Sequence, residues 1–437
     1  MSASHFRSTI CDNLALIVFL TAYFFLTVLG NLIYLIPGGD IIGRIAIEDF
    51  SIANFKTAKS GGYFLLLFLP FIVTPIVAIF TRRFLGQYVN RTVKLFTDFS
   101  RLDFIAIEVI VYSYVFFSFW NADAVELLTR GSDVYDAVRS RYDLLDRLGY
   151  WPQMSLKSLL VFLACYGFVR AIRSRETFWI VAAAVNFILT TIFLVLLNMK
   201  WPLLVFYMAL VVSTFAFARK RPYSGTLMMS LVTLLAYTLI SIALLRVVPP
   251  PSSNPGHLFG RVKSTALTSK TLLAATLLNR MAQPYPYYFD VFTQDGPVCG
   301  TLTDRIMRKV NPCQPSNLIY SRMFGDTGFD EFVSRNGTSP QSVHVYGYAL
   351  NGWPGAMIEL ILASVVLGLF ISVPAMTSNI AATIVVMGAL TGYYFSQLPF
   401  EGAIIYDHGI LWWGLLIVAY TAIKFITRRT DIIHTNT

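Results

Sequence analysis

The chain has 437 residues, of which 56% are hydrophobic and only 13% charged, with a formal net charge of +10. So little charge cannot cover a soluble globule of this size, which leaves an integral membrane protein as the class that fits. The sequence holds no Gly-rich phosphate loop, zinc-ligand cluster or Gly-x-Ser-x-Gly elbow, so no cofactor, metal or nucleic acid is expected as a ligand.

Apolar runs of about 18 residues or more cross a hydrocarbon core roughly 30 Å thick, and they cross it as helices because lipid offers open backbone groups no partner. Ten such runs lie near 13–36, 63–80, 104–120, 157–170, 178–198, 203–217, 226–245, 353–373, 379–398 and 409–427. They predict an all-α polytopic membrane protein of about ten transmembrane helices. The fourth and sixth runs are short, as tilted or partly buried helices would be. The first run has little positive charge ahead of it and no small-residue cleavage site, so it is expected to be retained. Three regions follow: helices one to seven in 1–245, a large loop in 246–352, and helices eight to ten in 353–437.

Orientation follows from Lys and Arg in the short connections. Arg7; Arg82, Arg83, Arg91, Lys94 and Arg101; Arg170, Arg173 and Arg175; Arg219, Lys220 and Arg221; and Lys424, Arg428 and Arg429 all fall on one side of a ten-helix plan. That side is expected to be the cytoplasm, with both termini there and segments 37–62, 121–156 and 246–352 projecting outward. Anchoring to anionic lipid heads accounts for much of the positive balance.

Taken in order, the first outer segment offers Asp40, Glu48 and Asp49. The second carries Arg130, Arg139, Arg141 and Arg147, where a positive-inside bias should have removed arginine. A guanidinium presents a planar fork of donors matched to phosphate oxygens, so these residues fit capture of a lipid-linked phosphate or pyrophosphate. A solvated helix with internal pairs to Asp143 and Asp146 fits the same pattern. The third segment is too long for a plain connector. It reads as a Pro-rich linker at 249–256, a helix over 261–281 ending in Arg280, a tyrosine cluster with Tyr285 and Tyr287, and a loop with a short helix near 303–310. That loop also holds Arg261, Arg305, Arg308, Lys309, Arg322 and Arg335. Cys299 and Cys313 lie in it too, and in an oxidising compartment they could either pair or stay free.

His344 precedes the eighth helix in a segment rich in Tyr, Gly and Ser. A neutral imidazole there could accept a proton, or it could be a hydrogen-bonded bystander. Glu359 falls inside an apolar run, where a carboxylate is costly and normally faces a polar cavity or a cation. Asp407 and His408 sit at the outer end of the tenth helix, as an interfacial cap or as part of the same cavity.

The run "GTSPQSVHVYGYALNGWPGAMIELILASVVLGLF", residues 337–370, resembles the signature of the bacterial O-antigen polymerase (Wzy) and O-antigen ligase families. Their pattern is a Gly-Thr-Ser-Pro-like loop, a His or Glu, a Tyr-containing turn, a G-x-x-G corner and a membrane helix. Here the corner is Gly352, Trp353, Pro354 and Gly355, with His344 at the polar position. The whole-chain plan is similar too, with one dominant late outer loop whose first helix carries an arginine, matched by Arg280.

The resemblance implies a GT-C-like membrane glycosyltransferase at the periplasmic face of a bacterial inner membrane. It would polymerise undecaprenyl-pyrophosphate-linked oligosaccharide repeat units by metal-independent, inverting transfer, in the company of membrane lipids and of a chain-length regulator and a flippase. Under it, Arg280 with Arg139, Arg141, Arg147 and Arg305 would hold the pyrophosphate as negative charge grows on departure. His344 would take the acceptor proton with Glu359 orienting it, and Tyr346 and Tyr348, with Tyr285 and Tyr287, would offer faces and hydroxyls to sugars. Three rivals differ in chemistry. A transferase using polyprenyl monophosphate would place an acidic base among Asp40, Glu48 and Asp49; a ligase would use His344; and a transporter of lipid-linked sugars would show charged or broken helices at mid-membrane.

Overall fold

The computed structural model describes residues 9–44, 47, 49–129, 134–197, 199–218, 222–247, 279–297, 315–324, 338–406 and 408–435. Among these the regular structure is helical, without strands, and eight helices are long and apolar enough to cross a membrane. In chain order the elements are α1 (Leu14–Leu35), α2 (Asp40–Arg44), α3 (Gly61–Leu95), α4 (Arg101–Asn121), α5 (Ala124–Thr129), α6 (Val134–Leu148), α7 (Tyr150–Ser174) and α8 (Thr177–Leu196). They continue with α9 (Lys200–Phe217), α10 (Pro222–Val247), α11 (Pro284–Gln294), α12 (Pro315–Phe324), α13 (Val343–Phe370), α14 (Asn379–Phe395) and α15 (Ile410–Thr435). Each of the ten apolar runs overlaps a helix: α1, α3, α4, α7 to α10 and α13 to α15. Two of these, α9 and α14, are shorter than the other eight. The linker at 249–256, the helix near 303–310, Cys299, Cys313, Glu48, Asp407 and Arg305 lie outside the described residues, as does most of the helix expected over 261–281.

Three boundaries differ from the apolar runs, each for a physical reason. Helix α3 runs on to Leu95 because the polar stretch after Thr81 is made of good helix formers and needs no apolar cover. Helix α7 starts at Tyr150 rather than 157. With 72% of its apolar window buried inside the protein, against 6% for α10, it is enclosed by neighbours and carries Lys157 and two serines that a lipid-facing helix would not. Around it pack α8, α9 and α14, while α1 lies along α14 and α3 along α13.

Helix starts are set by side-chain caps. Ser60, Ser100 and Ser378 accept from the backbone N–H groups of Tyr63, Asp103 and Ala381 at 3.2, 3.2 and 3.0 Å. Helix α14 has a second clamp, because the Asp98 carboxylate accepts from the backbone N–H groups of Ile380 and Asn379 at 2.9 and 3.2 Å. Arg173 donates to the carbonyls of Ser378 and Met376 just ahead of it. Asp98→Ala should therefore lower stability by about 1–2 kcal/mol, read as an earlier thermal unfolding transition in detergent. Asp98→Asn should recover part of the loss.

The third difference carries the site. The eighth apolar run was expected to begin after the Gly-Trp-Pro-Gly corner, yet helix starts ten residues earlier, at Val343. It breaks at Asn351 and Gly352, where Gly352 adopts φ +62° and ψ −148°, a conformation that L side chains rarely adopt. The break folds Val343–Leu350 back against the start of the following segment. A Cβ on Gly347 would lie 2.3 Å from the Gly355 carbonyl oxygen, and one on Gly355 would lie 2.1 Å from that of Gly347. Only glycine permits this backbone contact. Alanine at either position should cost about 1–3 kcal/mol through overpacking, again visible in thermal unfolding.

Apolar side chains form two cores. The larger one fills the bundle around α7 and α14. The smaller one joins parts of α1 and α3 to the connecting segments 50–58, 282–292 and 319–323 and to the folded-back piece 345–349.

Candidate functional site

The smaller core decides what the tyrosines do. Tyr285 and Tyr288 have no exposed surface, and Tyr346 and Tyr348 keep only 5% each. Tyr285 donates to the Tyr63 carbonyl at 2.9 Å, Tyr288 to the Ser339 carbonyl at 3.0 Å, and the Tyr348 hydroxyl lies 2.9 Å from that of Thr293. Tyr348 stacks on Phe289, and Trp353 meets it edge-on. The packing buries these rings, and the hydroxyls of Tyr285, Tyr288 and Tyr348 bond within the protein. Tyr287 is half-buried against Phe55.

Amides complete the anchoring. Asn31 donates to the Ala282 carbonyl and accepts from Tyr63, Asn279 accepts from Tyr34 and donates to the Ile42 carbonyl, and Gln283 donates to that of Gly43. Gln341 reaches the Met281 carbonyl at 2.7 Å. The segment 279–283, which contains Arg280, is thus held from three sides, by α1, α2 and Gln341.

His344 is fully buried at the start of α13, wedged between α1 and α3. Helix α3 contains Pro70, which has no N–H, so the carbonyl four residues earlier, that of Leu66, loses its helical partner. His344 Nε2 lies 3.1 Å from that oxygen. Tyr23 Oη is 3.2 Å from the same nitrogen and gives its own proton to the Leu67 carbonyl at 3.0 Å. With only acceptors facing it, Nε2 must carry the ring proton, and Nδ1 then accepts from the Ser342 hydroxyl at 3.2 Å. Both ring nitrogens are committed inside the protein. The expected base thus closes a proline gap in α3, with its Nδ1 lone pair engaged by the Ser342 hydroxyl.

Arg280 is different. Its side chain keeps accessible surface, yet enough protein surrounds it for burial to lower its pKa, with the Tyr393 and Tyr237 hydroxyls pulling the other way. An arginine stays charged through a shift of this kind. Its guanidinium carbon sits 4.0 Å from the centroid of the Trp201 ring, and among the described residues no carboxylate lies within ion-pair distance. The guanidinium is therefore seated over a ring, and its charge has no carboxylate partner among the described residues.

Trp201 continues a row of rings. It stacks on Tyr393 (5.0 Å, 22°), Tyr393 adjoins Tyr394, and Tyr394 stacks on His408 at 3.7 Å and 5°. Burial pushes His408 well below its ordinary pKa, and the nearby Lys157 ammonium adds to the effect. Both flanking stretches contain a π-turn, Ser155–Leu160 around Lys157 and Gly402–Tyr406 beside His408; such turns cluster at functional sites. The row links the start of α9, the end of α14 and the start of α7, all at the end of the bundle that carries the long connections.

Arg147 pairs with Asp123 at 3.0 Å on an exposed surface, an arrangement worth little energy and open to bulk water. Arg141 lies over the ring of its neighbour Tyr142, 5.0 Å from the centroid. Arg139 belongs to α6, and Arg322 meets Asp295 at 3.8 Å. Glu359 is buried on the face of α13 that also holds Ala356, Leu360, Ala363 and Leu367.

Compared with protein-family models, curated proteins and solved structures, the chain matches none.

Sequence reading missed Trp201 and Lys157, since a tryptophan at a membrane interface and a lysine near a helix start carry no functional signal alone. It also missed Glu108 on α4, whose position inside an apolar run was the available clue. Asp40 of the first connection accepts from the Ser51 hydroxyl and the Ile52 N–H and so closes its own loop.

Proposed function

We propose that this chain is a multispanning glycosyltransferase that joins lipid-linked oligosaccharide repeat units into a longer chain, in the manner of an O-antigen, capsule or exopolysaccharide polymerase. In this reading it spans a bacterial inner membrane about ten times, with both termini cytoplasmic and the site periplasmic. The donor is a saccharide on undecaprenyl pyrophosphate. The observation that carries the reading is Arg280: an exposed guanidinium seated over the Trp201 ring, with no carboxylate within ion-pair distance among the described residues, where the bundle meets its loops. As the sugar departs one C–O bond breaks and the pyrophosphate gains one negative charge, and a preorganised cation there lowers that barrier. Arg280 acts as the clamp, Trp201 sets its plane, and His344 keeps α3 and the folded-back segment in register. Arg147, paired at the surface, is dropped from the clamp.

The test is to incubate purified protein in lipid with lipid-linked repeat units and to resolve product length on a gel. A ladder of lengthening products supports the polymerase; addition of a single unit from a polyprenyl monophosphate sugar, or transfer only to a finished lipid core, moves the chain to a rival class. A carrier of the same lipids is the reading that Glu108 favours, because transporters keep ionisable groups inside the bilayer. It predicts movement of labelled lipid across vesicles without any ladder.

A further inference from the structure

Glu108 lies two turns into α4, in a stretch whose neighbours Ile105, Val109 and Ile110 are exposed apolar side chains, as lipid-facing residues are. Its carboxyl accepts from the Asn186 side-chain amide of α8. Asn186 also donates to the Ala182 carbonyl at 2.9 Å and accepts from Tyr112 at 2.8 Å, and the Tyr112 hydroxyl lies 3.0 Å from that of Thr190. Asn186 itself is buried, with Gly167 of α7 closing over its amide. The cluster is thus a polar row between α4 and α8, sealed on its inner side and half-open on the outer. Tyr112 is the titratable neighbour on the row, and among the described residues no Lys, Arg or His lies within ion-pair distance of Glu108.

A carboxylate without a counter-charge is costly at this depth, whereas the neutral acid keeps the Asn186 bond and adds a donor. We propose that Glu108 is an intramembrane proton-binding site, occupied as the carboxylic acid and reachable from the lipid. Such a site takes an apolar carbodiimide as its diagnostic ligand. The acid O–H adds across one C=N bond, its proton going to nitrogen and its oxygen to the central carbon; acyl migration from oxygen to nitrogen then leaves a stable N-acylurea, with no group lost. An ionised, water-facing carboxyl behaves differently, since water-soluble carbodiimides reach it as readily.

The experiment uses the full chain in lipid vesicles, treated in parallel with dicyclohexylcarbodiimide and with a water-soluble carbodiimide, followed by intact mass and peptide mapping. The apolar reagent is expected to add one adduct to the peptide carrying Glu108 and the soluble reagent none there. Glu108→Gln, which keeps the shape of the neutral acid, should retain the unfolding temperature while losing that adduct. Infrared spectra supply a second measurement that needs no reagent: the protonated-acid carbonyl band should diminish in Glu108→Gln. No adduct at Glu108, equal labelling by both reagents, or an acid band unchanged by the substitution would overturn the proposal.

Discussion

Replacing Arg280 by alanine is expected to reduce polymer formation about 10²–10³-fold, the range seen when one preorganised charge-stabilising donor is removed from a transition state. The loss should fall on kcat more than on KM, because the charge on the leaving pyrophosphate peaks after binding. Arg280→Lys should recover only part of the rate, since an ammonium keeps the charge but neither the fork nor the flat face that rests on Trp201. Trp201→Ala should resemble a milder Arg280 variant, and Trp201→Phe should sit between it and the native chain. Arg147→Ala is the contrasting control. Its guanidinium is already paired with Asp123 on the surface, so its activity should stay within a few-fold of native. Initial rates of product-ladder formation, measured on equal amounts of folded protein, check all five variants.

The second large effect concerns His344 and separates structure from catalysis. His344→Ala removes the side chain that reaches the carbonyl Pro70 leaves open, and it also empties a fully buried position. Together these should cost about 2–4 kcal/mol. Pro70→Ala restores an N–H at position 70, which can bond the Leu66 carbonyl within the helix. The double variant should therefore be less destabilised than the sum of the two single changes, a coupling of about 1 kcal/mol or more. If His344 served only as a proton acceptor, Pro70→Ala would have no influence on what its loss does to stability. Thermal unfolding of the four proteins in one detergent gives the cycle.

Much of the bundle was legible because lipid imposes a simple rule: a run of apolar residues must become a helix. Ten runs marked ten helices, and the caps at Ser60, Ser100 and Ser378 sit where a Ser before an apolar stretch says they should. What stayed hidden depends on meetings between distant segments. Pro70 and His344 stand far apart in sequence, so nothing in either stretch says that one completes the other. The tyrosines near 285 and 346 read as exposed binding faces because the loop holding them is polar on average, yet they pack into a core of their own. Arg280 was visible as the arginine at the end of a helix expected in the long outer loop, followed by tyrosines and prolines, while its seat on Trp201, a residue of α9, was not. Arg147 shows the reverse: the pattern that suggested a phosphate clamp includes an exposed pair whose acid, Asp123, lies 24 residues away, between α4 and α5.

The central claim is that Arg280 grips the phosphate head of a lipid-linked sugar. Its most direct test is equilibrium binding of undecaprenyl pyrophosphate to the purified protein in detergent, comparing the native chain with Arg280→Ala and Arg147→Ala. The account predicts that Arg280→Ala weakens binding by tenfold or more, in line with the loss of about 1.5–3 kcal/mol from a charge-assisted hydrogen bond, and that Arg147→Ala binds as the native chain does. Equal affinity for the native chain and Arg280→Ala would contradict it.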